Sequence, residues 1–291
     1  MLLVVGDLVE DVVVWTDGPP ARGTDTAARI ERRRGGSAAN VAAFAAAAGV
    51  AVRFVGCVGD DAGGRSVTAE LAAAGVDVRV QRRGRTGTVV VLVEPDGERT
   101  MLPDRAACTE LADVPDDWLD GVTWVHVPAY SLMGEPLATS VDSLVARCRR
   151  AGARLSVDAS SVGALAGYGV APFAAWVRAA GADVLLANAD EAALLGLAAA
   201  GDGDGGRPAA RTIVKQGPGP VLVWTRGTDE PQAVPVPPVA RVRDTTGAGD
   251  AFAAGFLAAS LDGAATVAAV EAGIALARRV LGNPGASLQS L

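Results

Sequence analysis

Lysine and histidine are nearly absent from this chain of 291 residues, which has Lys215 as its only lysine and His126 as its only histidine. A phosphate-binding loop of the GxxxxGK[ST] type is excluded, because Val214 precedes the lysine. A zinc site built from several histidines is impossible, and the three cysteines are too scattered for metal-ligand spacing. A Ser-His-Asp triad would depend on His126 alone, and the chain has no GxSxG elbow.

Positive charge and long apolar runs are also scarce. The net charge is −7 and the isoelectric point is about 4.8, so the chain is a poor binder of nucleic acids and of anionic membranes. Glycine, proline and asparagine interrupt the longest uncharged stretches, which predicts no membrane helix. The apolar run at 1–5 is too short for a signal peptide. Three cysteines without a pairing pattern predict a reducing compartment, and we expect the cytoplasm.

Short β-branched runs alternate with alanine-rich stretches along a chain that is 50% hydrophobic. The runs predict strands at 2–5, 52–58, 123–127, 155–157, 184–187, 212–214 and 221–224. The alanine-rich stretches predict helices at 38–48, 62–74, 137–151, 190–199, 248–259 and 264–281. Most strands are apolar at consecutive positions, so the alternation indicates an α/β fold with a mainly parallel sheet covered on both faces.

A second, smaller sheet is predicted from segments that break this alternation. Residues 88–93 and 99–102 flank the turn at 94–98, which contains Asp96-Gly97 and is typical of a β-hairpin. Residues 12–30 lack helical periodicity and are expected to be extended. Together these segments predict an accessory sheet away from the main one.

The segment at 244–256, which reads DTTGAGDAFAAGF, places two glycines and an aspartate at the start of a predicted helix. Small residues let backbone N–H groups approach an anion closely, and the helix N-terminus adds a partial positive charge. Asp250 would place its carboxylate beside that anion. A phosphate cradle next to a base suits phosphoryl transfer to a hydroxyl, although aspartate at a helix start is also a common cap.

A second glycine-rich segment, GGSAAN at 35–40, precedes another predicted helix and is followed by Gly49 and Gly59. The double glycine permits a tight turn, and Asn40 offers an amide to a polar ligand, although an ordinary helix entrance has the same features. Taken together, segments 35–59 and 244–257 resemble the two signature motifs of the PfkB (ribokinase-like) carbohydrate kinase family in residue type, spacing and order.

The resemblance covers essentially the whole chain and implies a ribokinase-like fold. This is a three-layer α/β/α core with a mainly parallel sheet and a small β-sheet lid, and we expect one domain over 1–291. The lid strands would come from about 12–34 and 86–103. The implied activity is ATP-dependent, Mg²⁺-requiring phosphorylation of a hydroxyl group on a small sugar or sugar acid, as in ribokinases, fructokinases and 2-keto-3-deoxygluconate kinases.

The resemblance also implies roles for the residues that match the two motifs. Asp250 matches the general base that takes the proton of the substrate hydroxyl, and its helix N-terminus predicts an ionised, weakly basic carboxylate. Backbone N–H groups would form an anion hole at Gly247, Ala248 and Gly249. Substrate hydroxyls would be bound by Asp11, Gly36 and Asn40.

Nucleotide-binding residues are implied further along the chain: Asn188, Glu191, Gly217 and Asn283. NADE at 188–191 resembles the family's Asn-x-x-Glu element, which supports magnesium and phosphate, so Glu191 is an expected metal residue. Some members of the family bind a monovalent cation, which would be K⁺. Asp244 resembles a residue of that cation site.

Two segments depart from the family pattern. KQGPGP at 215–220 has proline where a second glycine is expected. Two alternatives therefore stay open for Lys215: it contacts a phosphate of the nucleotide, or it is exposed to solvent and has no role in the site. DASS at 158–161 replaces the common Asp-Pro-Asn, and Asp158 receives no role. His126 is expected in the core or behind the site. Arg99 and Arg105 flank the predicted hairpin and either touch the substrate or are solvated.

Other readings of the sequence are weaker. A nucleoside kinase of the adenosine or pseudouridine type needs an apolar or aromatic site for the base. The chain has only 12 aromatic residues, with few near the predicted substrate edge, and this favours a sugar. Trp15, near the lid, is an argument for a nucleoside. A non-catalytic sugar- or nucleotide-binding relative would not require Asp250. A dinucleotide-binding oxidoreductase is disfavoured because GDL at 6–8 follows the first strand without GxGxxG. Unpaired strand edges in the accessory sheet predict a homodimer formed through the lids.

Overall fold

The computed structural model describes residues 1–94, 98–198, 206–242 and 244–282. Within these ranges the strands are β1 (Leu2–Val5), β2 (Val9–Thr16), β3 (Ala28–Gly35), β4 (Val52–Val58), β5 (Asp77–Arg82), β6 (Thr88–Val93), β7 (Arg99–Asp104), β8 (Trp124–Pro128), β9 (Arg154–Asp158), β10 (Val184–Asn188), β11 (Arg211–Lys215), β12 (Val221–Thr225) and β13 (Gln232–Val234). The helices are α1 (Ser37–Ala47), α2 (Ala62–Ala73), α3 (Leu137–Arg150), α4 (Val162–Tyr168), α5 (Val170–Ala179), α6 (Ala189–Leu194), α7 (Ala248–Leu261) and α8 (Thr266–Leu281).

Nine strands form one large sheet in the order β13-β12-β11-β10-β9-β8-β1-β4-β5. All neighbours from β11 to β5 pair in parallel, whereas β12 and β13 add an antiparallel edge. The four residues of β1 are fully buried because side chains from both of its faces enter a core. The predicted mainly parallel sheet is therefore confirmed.

Helices cover both faces of the large sheet. One apolar core contains Leu2 and Val4 of β1 together with side chains of α1, α2, α7 and α8. The other contains Leu3 and Val5 with side chains of α3, α5 and α6. Helices α7 and α8 pack closely because Gly255 and Gly273 have no side chain. A Cβ on Gly255 would lie 2.6 Å from the carbonyl oxygen of Ala272. The three-layer α/β/α arrangement is thus confirmed.

The small sheet has the order β3-β2-β6-β7. Strand β2 pairs antiparallel with β3 and parallel with β6, and β6 and β7 form the predicted hairpin. Its turn, at 95–97, lies outside the described residues. The extended region predicted at 12–30 is instead two strands, and β3 ends at Gly35, directly before α1. The small sheet is therefore joined to the large one at the start of α1.

Some elements differ from the predictions. The segment at 159–179 contains helices α4 and α5, which the sequence analysis missed because Gly163, Gly167, Gly169 and Pro172 interrupt its apolar pattern. Pro172 is tolerated because it lies in the first turn of α5. The helix expected at 190–199 ends at Leu194 as α6. Among the described helices, none combines the length and apolar character needed to span a bilayer.

Candidate active site

Several chemically active side chains meet at the carboxyl-terminal edge of the large sheet. Asp158 ends β9, Asn188 ends β10 and Lys215 ends β11, while Asp7 follows β1 by two residues. These strands run in parallel, so their carboxyl ends share one edge. Open α/β sheets bind ligands at this edge.

Asp250 lies in the first turn of α7, which begins after Gly247 in a left-handed conformation (φ 75°). Its two carboxylate oxygens accept hydrogen bonds from Ser37 Oγ at 2.7 Å and from Asn40 Nδ2 at 3.0 Å. The donors belong to the first turn of α1, so the two glycine-rich motifs are in direct contact. Ala248 and Gly249 precede Asp250 in the same turn, where N–H groups lack partners inside the helix. The Ala248 N–H donates to the carbonyl oxygen of Thr245 at 3.2 Å, outside the helix.

The prediction that Asp250 is a weakly basic carboxylate was wrong. Burial raises its pKa to about 6 from an ordinary 3.8, and the negative charge of Asp158 adds to this rise. Hydrogen bonds from Ser37 and Asn40 and the positive charge of Lys215 oppose it. Desolvation therefore outweighs these two hydrogen bonds and the charge of Lys215, and Asp250 is a stronger base than a solvated aspartate.

Asn40 is held so that its amide donates toward Asp250. Arg34 Nη1 donates to Asn40 Oδ1 at 3.1 Å, and this leaves the Asn40 NH₂ group for the carboxylate. Gly36, with φ 98°, precedes α1, and a Cβ there would lie 2.3 Å from the carbonyl oxygen of Asp7. Only glycine fits this approach, which sets the position of the first turn of α1.

Asp11 lies on β2 and packs against Gly35, where a Cβ would come within 2.1 Å of its carboxylate. Burial raises the pKa of Asp11 to about 6, against the opposing charge of Arg34, and the charge of Asp250 raises it further. Asp11, Gly36 and Asn40, the three predicted substrate residues, therefore lie in the neighbourhood of the predicted base.

Lys215 and Asp158 form an ion pair beside α7. Lys215 Nζ donates to Asp158 Oδ2 at 3.1 Å, and the two side chains are 17% and 12% exposed. Burial acts to lower the pKa of Lys215, but Asp158, Glu191 and Asp250 outweigh it and raise that pKa above its ordinary value. Lys215 is therefore largely buried and paired, not exposed without a role. Its partner is Asp158, which received no role from the sequence.

Asn188 and Glu191 bind each other in a capping box at the start of α6. The Glu191 carboxylate accepts hydrogen bonds from the Asn188 backbone at 2.8 Å and from Asn188 Nδ2 at 2.7 Å. Burial raises the pKa of Glu191, and the charge of Asp158 raises it further. Within the described ranges, no three acidic, histidine or cysteine side chains cluster as a metal site. Because Asn188 engages both carboxylate oxygens of Glu191, a Mg²⁺ ion here would be held mainly by phosphate and water, with Glu191 reaching it through water.

Asp244 is 7% exposed as a residue and accepts a hydrogen bond from the backbone of Thr246 at 2.7 Å. Arg99, the first residue of β7, forms an ion pair with Asp244 and also contacts the Thr246 hydroxyl. The lid strand therefore supplies a positive charge where a monovalent cation was predicted, and Arg99 is not solvated.

Arg105 is likewise not solvated, and its partner Asp7 was missed by the sequence analysis. Its Nε and Nη2 atoms each donate to the Asp7 carboxylate at 2.8 Å. The guanidinium also donates to the carbonyl oxygens of Tyr130 at 2.8 Å and Met133 at 2.7 Å. This bidentate pair ties the end of β7 to the sheet edge. The Gly-Asp-Leu sequence after β1 was the available signal for Asp7.

The remaining predicted residues lie further from this cluster or outside the described residues. His126 is fully buried, and burial lowers its pKa to about 4, so it is a neutral core histidine as predicted. The three cysteines are buried and unpaired. Gly217 is exposed in the turn after β11 with φ 58°, and Asn283 lies outside the described residues.

Known proteins are similar to this chain in sequence and in architecture. A family model described as pfkB family carbohydrate kinase matches residues 1–291. A fructokinase from Klebsiella pneumoniae is 33% identical over 269 residues, which are 88% of this chain and 82% of the relative. An ATP-dependent ribose-1-phosphate kinase from Halopiger xanaduensis is 31% identical over 293 residues, which are 98% of this chain and 93% of the relative.

Solved structures show the same fold. The adenosine kinase from Sinorhizobium meliloti has a TM-score of 0.85 at 24% identity, over 98% of this chain and 94% of that chain. A probable sugar kinase from Rhizobium etli has a TM-score of 0.84 at 23% identity, over 99% and 95%. With the matched family model, these likenesses lead to one conclusion: the chain belongs to the pfkB family of carbohydrate kinases, which are ATP-dependent phosphotransferases.

Proposed function

We propose that this sugar kinase uses Asp250 as the general base and the backbone N–H groups of Gly247, Ala248 and Gly249 as the anion hole. The observation that carries the proposal is the double hydrogen bond from Ser37 and Asn40 to the Asp250 carboxylate at the start of α7. These bonds aim a half-buried, relatively basic carboxylate beside a helix N-terminus, where phosphate oxygens bind well.

In the proposed reaction, Asp250 accepts the proton of a substrate hydroxyl, and the oxygen attacks the γ-phosphorus of ATP while the bond to ADP breaks. N–H groups at the start of α7 donate to the oxygens of the transferring group. A carboxylate with a pKa of about 6 is mostly ionised at neutral pH, yet it binds a proton more tightly than an ordinary aspartate. Both properties suit a base in this step.

For the acceptor we propose a small sugar or a sugar acid, bound by Asp11, Gly36 and Asn40. The fructokinase and ribose-1-phosphate kinase relatives support a sugar, and the second adds sugar phosphates to the compounds worth testing. A nucleoside remains the second candidate. Its support is limited to structures such as the adenosine kinase at 24% identity, a level that carries the fold alone.

On the donor side, we propose that Asn188, Glu191 and Gly217 border the nucleotide, together with Asn283. Mg²⁺ bound to the phosphates would be reached by Glu191 through water, and it would neutralise charge on the phosphate oxygens. The pairing of Asp244 with Arg99 supports a kinase that needs no K⁺ at this position. Buried, unpaired cysteines support a reducing compartment such as the cytoplasm.

We also propose a homodimer formed through the lids. Ile30 and Leu102 are 59% and 53% exposed. By strand register they share one face of the small sheet with Val12, Val14 and Val90. Such an apolar face is suited to a second copy of the chain. Light scattering should give a dimer for the native protein and a monomer for Leu102→Arg, and a native monomer at assay concentration would contradict the proposal.

The test of the function is ADP release with Mg-ATP against sugars, sugar acids, sugar phosphates and nucleosides. Asp250→Asn is compared with Asp262→Asn, a control at the exposed far end of α7. We expect one acceptor class to respond, a loss of at least about 100-fold in kcat for Asp250→Asn, and native rates for the control. A native-like rate in Asp250→Asn would refute the assignment of the base.

A further inference from the structure

We propose that Lys215 binds the phosphoryl group in transfer, and that Asp158 is a positioning residue that holds its ammonium there. This inference rests on the proposed kinase reaction and adds to it a residue that lies outside both glycine-rich motifs. It begins from the position of the only lysine in the chain, at the carboxyl end of β11.

The ammonium of Lys215 borders the N-terminus of α7. A Cβ placed on Gly249 would lie 3.6 Å from Nζ, and the ring centre of Phe252, on the same helix, lies 5.8 Å from it. A positive side chain and a helix N-terminus therefore face the same space. Both favour an anion, and phosphate is the anion that this reaction brings to the site.

Lys215 has N–H donors that are available to such a ligand. An ammonium carries three N–H groups, and within the described residues Nζ makes one hydrogen bond, to Asp158. A role in holding the sheet together does not account for the pair. Strands β9 and β11 are already joined through β10 by continuous parallel ladders.

The charges around Lys215 keep it protonated, so it can stabilise phosphate oxygens without giving up a proton. No bond to Nζ forms or breaks in this role, and the substrate proton still goes to Asp250. Arginine would be a poor replacement, because the planar guanidinium is much larger than an ammonium and Gly249 lies close by.

A single lysine makes a direct binding experiment feasible. Growth with lysine carrying ¹³C at Cε labels Lys215 and leaves its three N–H donors intact, and Lys215→Arg identifies the lysine signal in a ¹H–¹³C spectrum. We expect that signal to shift when a non-hydrolysable ATP analogue binds with Mg²⁺, and to move little with AMP, which lacks the β- and γ-phosphates. If calorimetry shows that the analogue binds while the signal stays still, the proposal is wrong.

Kinetics provide the second test. For Lys215→Met we expect kcat to fall by about 100-fold or more with a small change in the KM of the sugar, and for Lys215→Arg we expect partial recovery. Asp158→Asn should give a smaller loss, because it leaves the ammonium in place with weaker orientation. The control is Arg211→Met, which removes an exposed cation at the other end of β11.

The outcomes separate this inference from the proposed function. Native protein that releases no ADP with any acceptor would contradict the proposed function. Active native protein together with a folded Lys215→Met variant that keeps kcat within about threefold would overturn only the role of Lys215. If Lys215→Met fails to fold, the labelled native protein still decides the question.

Discussion

Replacing Asp250 with asparagine is expected to stabilise the protein at neutral pH while it removes activity. Burial raises the pKa of Asp250 from 3.8 to about 6, so between these two values the folded state holds a proton that the unfolded chain has already lost, and above them the folded state carries an unfavourable charge. Roughly two pH units correspond to about 3 kcal/mol, and partial exposure of the residue reduces this to about 2 kcal/mol. That is the cost of the buried charge at pH 8.

The sign follows from proton binding in the two states. Below about pH 3 the carboxyl is largely protonated in both states, and it contributes little difference. As the pH rises from about 4 to 6, the folded state binds more protons than the unfolded state, so the free energy of unfolding falls, and it stays lower above that window. The amide of Asp250→Asn carries no charge and can still accept from Asn40 and donate to Ser37.

The assay is urea unfolding of native protein and Asp250→Asn between pH 4 and 8, with Asp262→Asn as the control for a charge lost at the other end of α7. We expect a stability gain that grows from below about 0.5 kcal/mol at pH 4 to about 2 kcal/mol at pH 8. A variant less stable than native protein at pH 8, or a gain independent of pH, would refute the assignment of a costly buried charge.

Three further predictions concern the glycine turn and the two ion pairs. Gly36→Ala should lose at least about 2 kcal/mol of stability, because a Cβ would meet the Asp7 carbonyl oxygen at 2.3 Å, and a neutral result in thermal unfolding would contradict this. Exchange of K⁺ for Na⁺ should change kcat less than about twofold because Arg99 pairs with Asp244, and a tenfold K⁺ activation would argue against it. Arg105→Met should lower the free energy of unfolding by about 3 kcal/mol, because it leaves the Asp7 carboxylate without its positive partner. Adding Asp7→Leu should restore most of this free energy in a double-mutant cycle.

The fold was predictable because its signals are local. Runs such as 2–5 and 52–58 are apolar at consecutive positions, as strands buried on both faces require, and the structure has β1 and β4 at those bounds. The starts of α1 and α7 were predictable because each follows a glycine with positive φ, Gly36 and Gly247. Where glycine and proline interrupt the pattern, as in 159–179, the two helices α4 and α5 leave no continuous local signal.

The contacts of the candidate site were not predictable in the same way, because they depend on which strands become neighbours. Ser37 and Asp250 are 213 positions apart, and Asp7 and Arg105 are 98 apart. No periodicity carries such information. The basicity of Asp250 is the clearest case. Its helix N-terminus is a local feature and indicates a low pKa, whereas the burial that raises the pKa appears only once the chain is folded.

Charge balance at the sheet edge bears on how the nucleotide arrives. The carboxyl groups of Asp158, Glu191 and Asp250 surround the single ammonium of Lys215, so the site is net negative when all of them are ionised. Free ATP, which is itself strongly negative, should be repelled, whereas ATP with Mg²⁺ carries much of its own neutralisation. A metal ion that arrives bound to the phosphates would bring its own positive charge to this edge. In the proposed mechanism the carboxylates then orient Lys215 and accept the substrate proton.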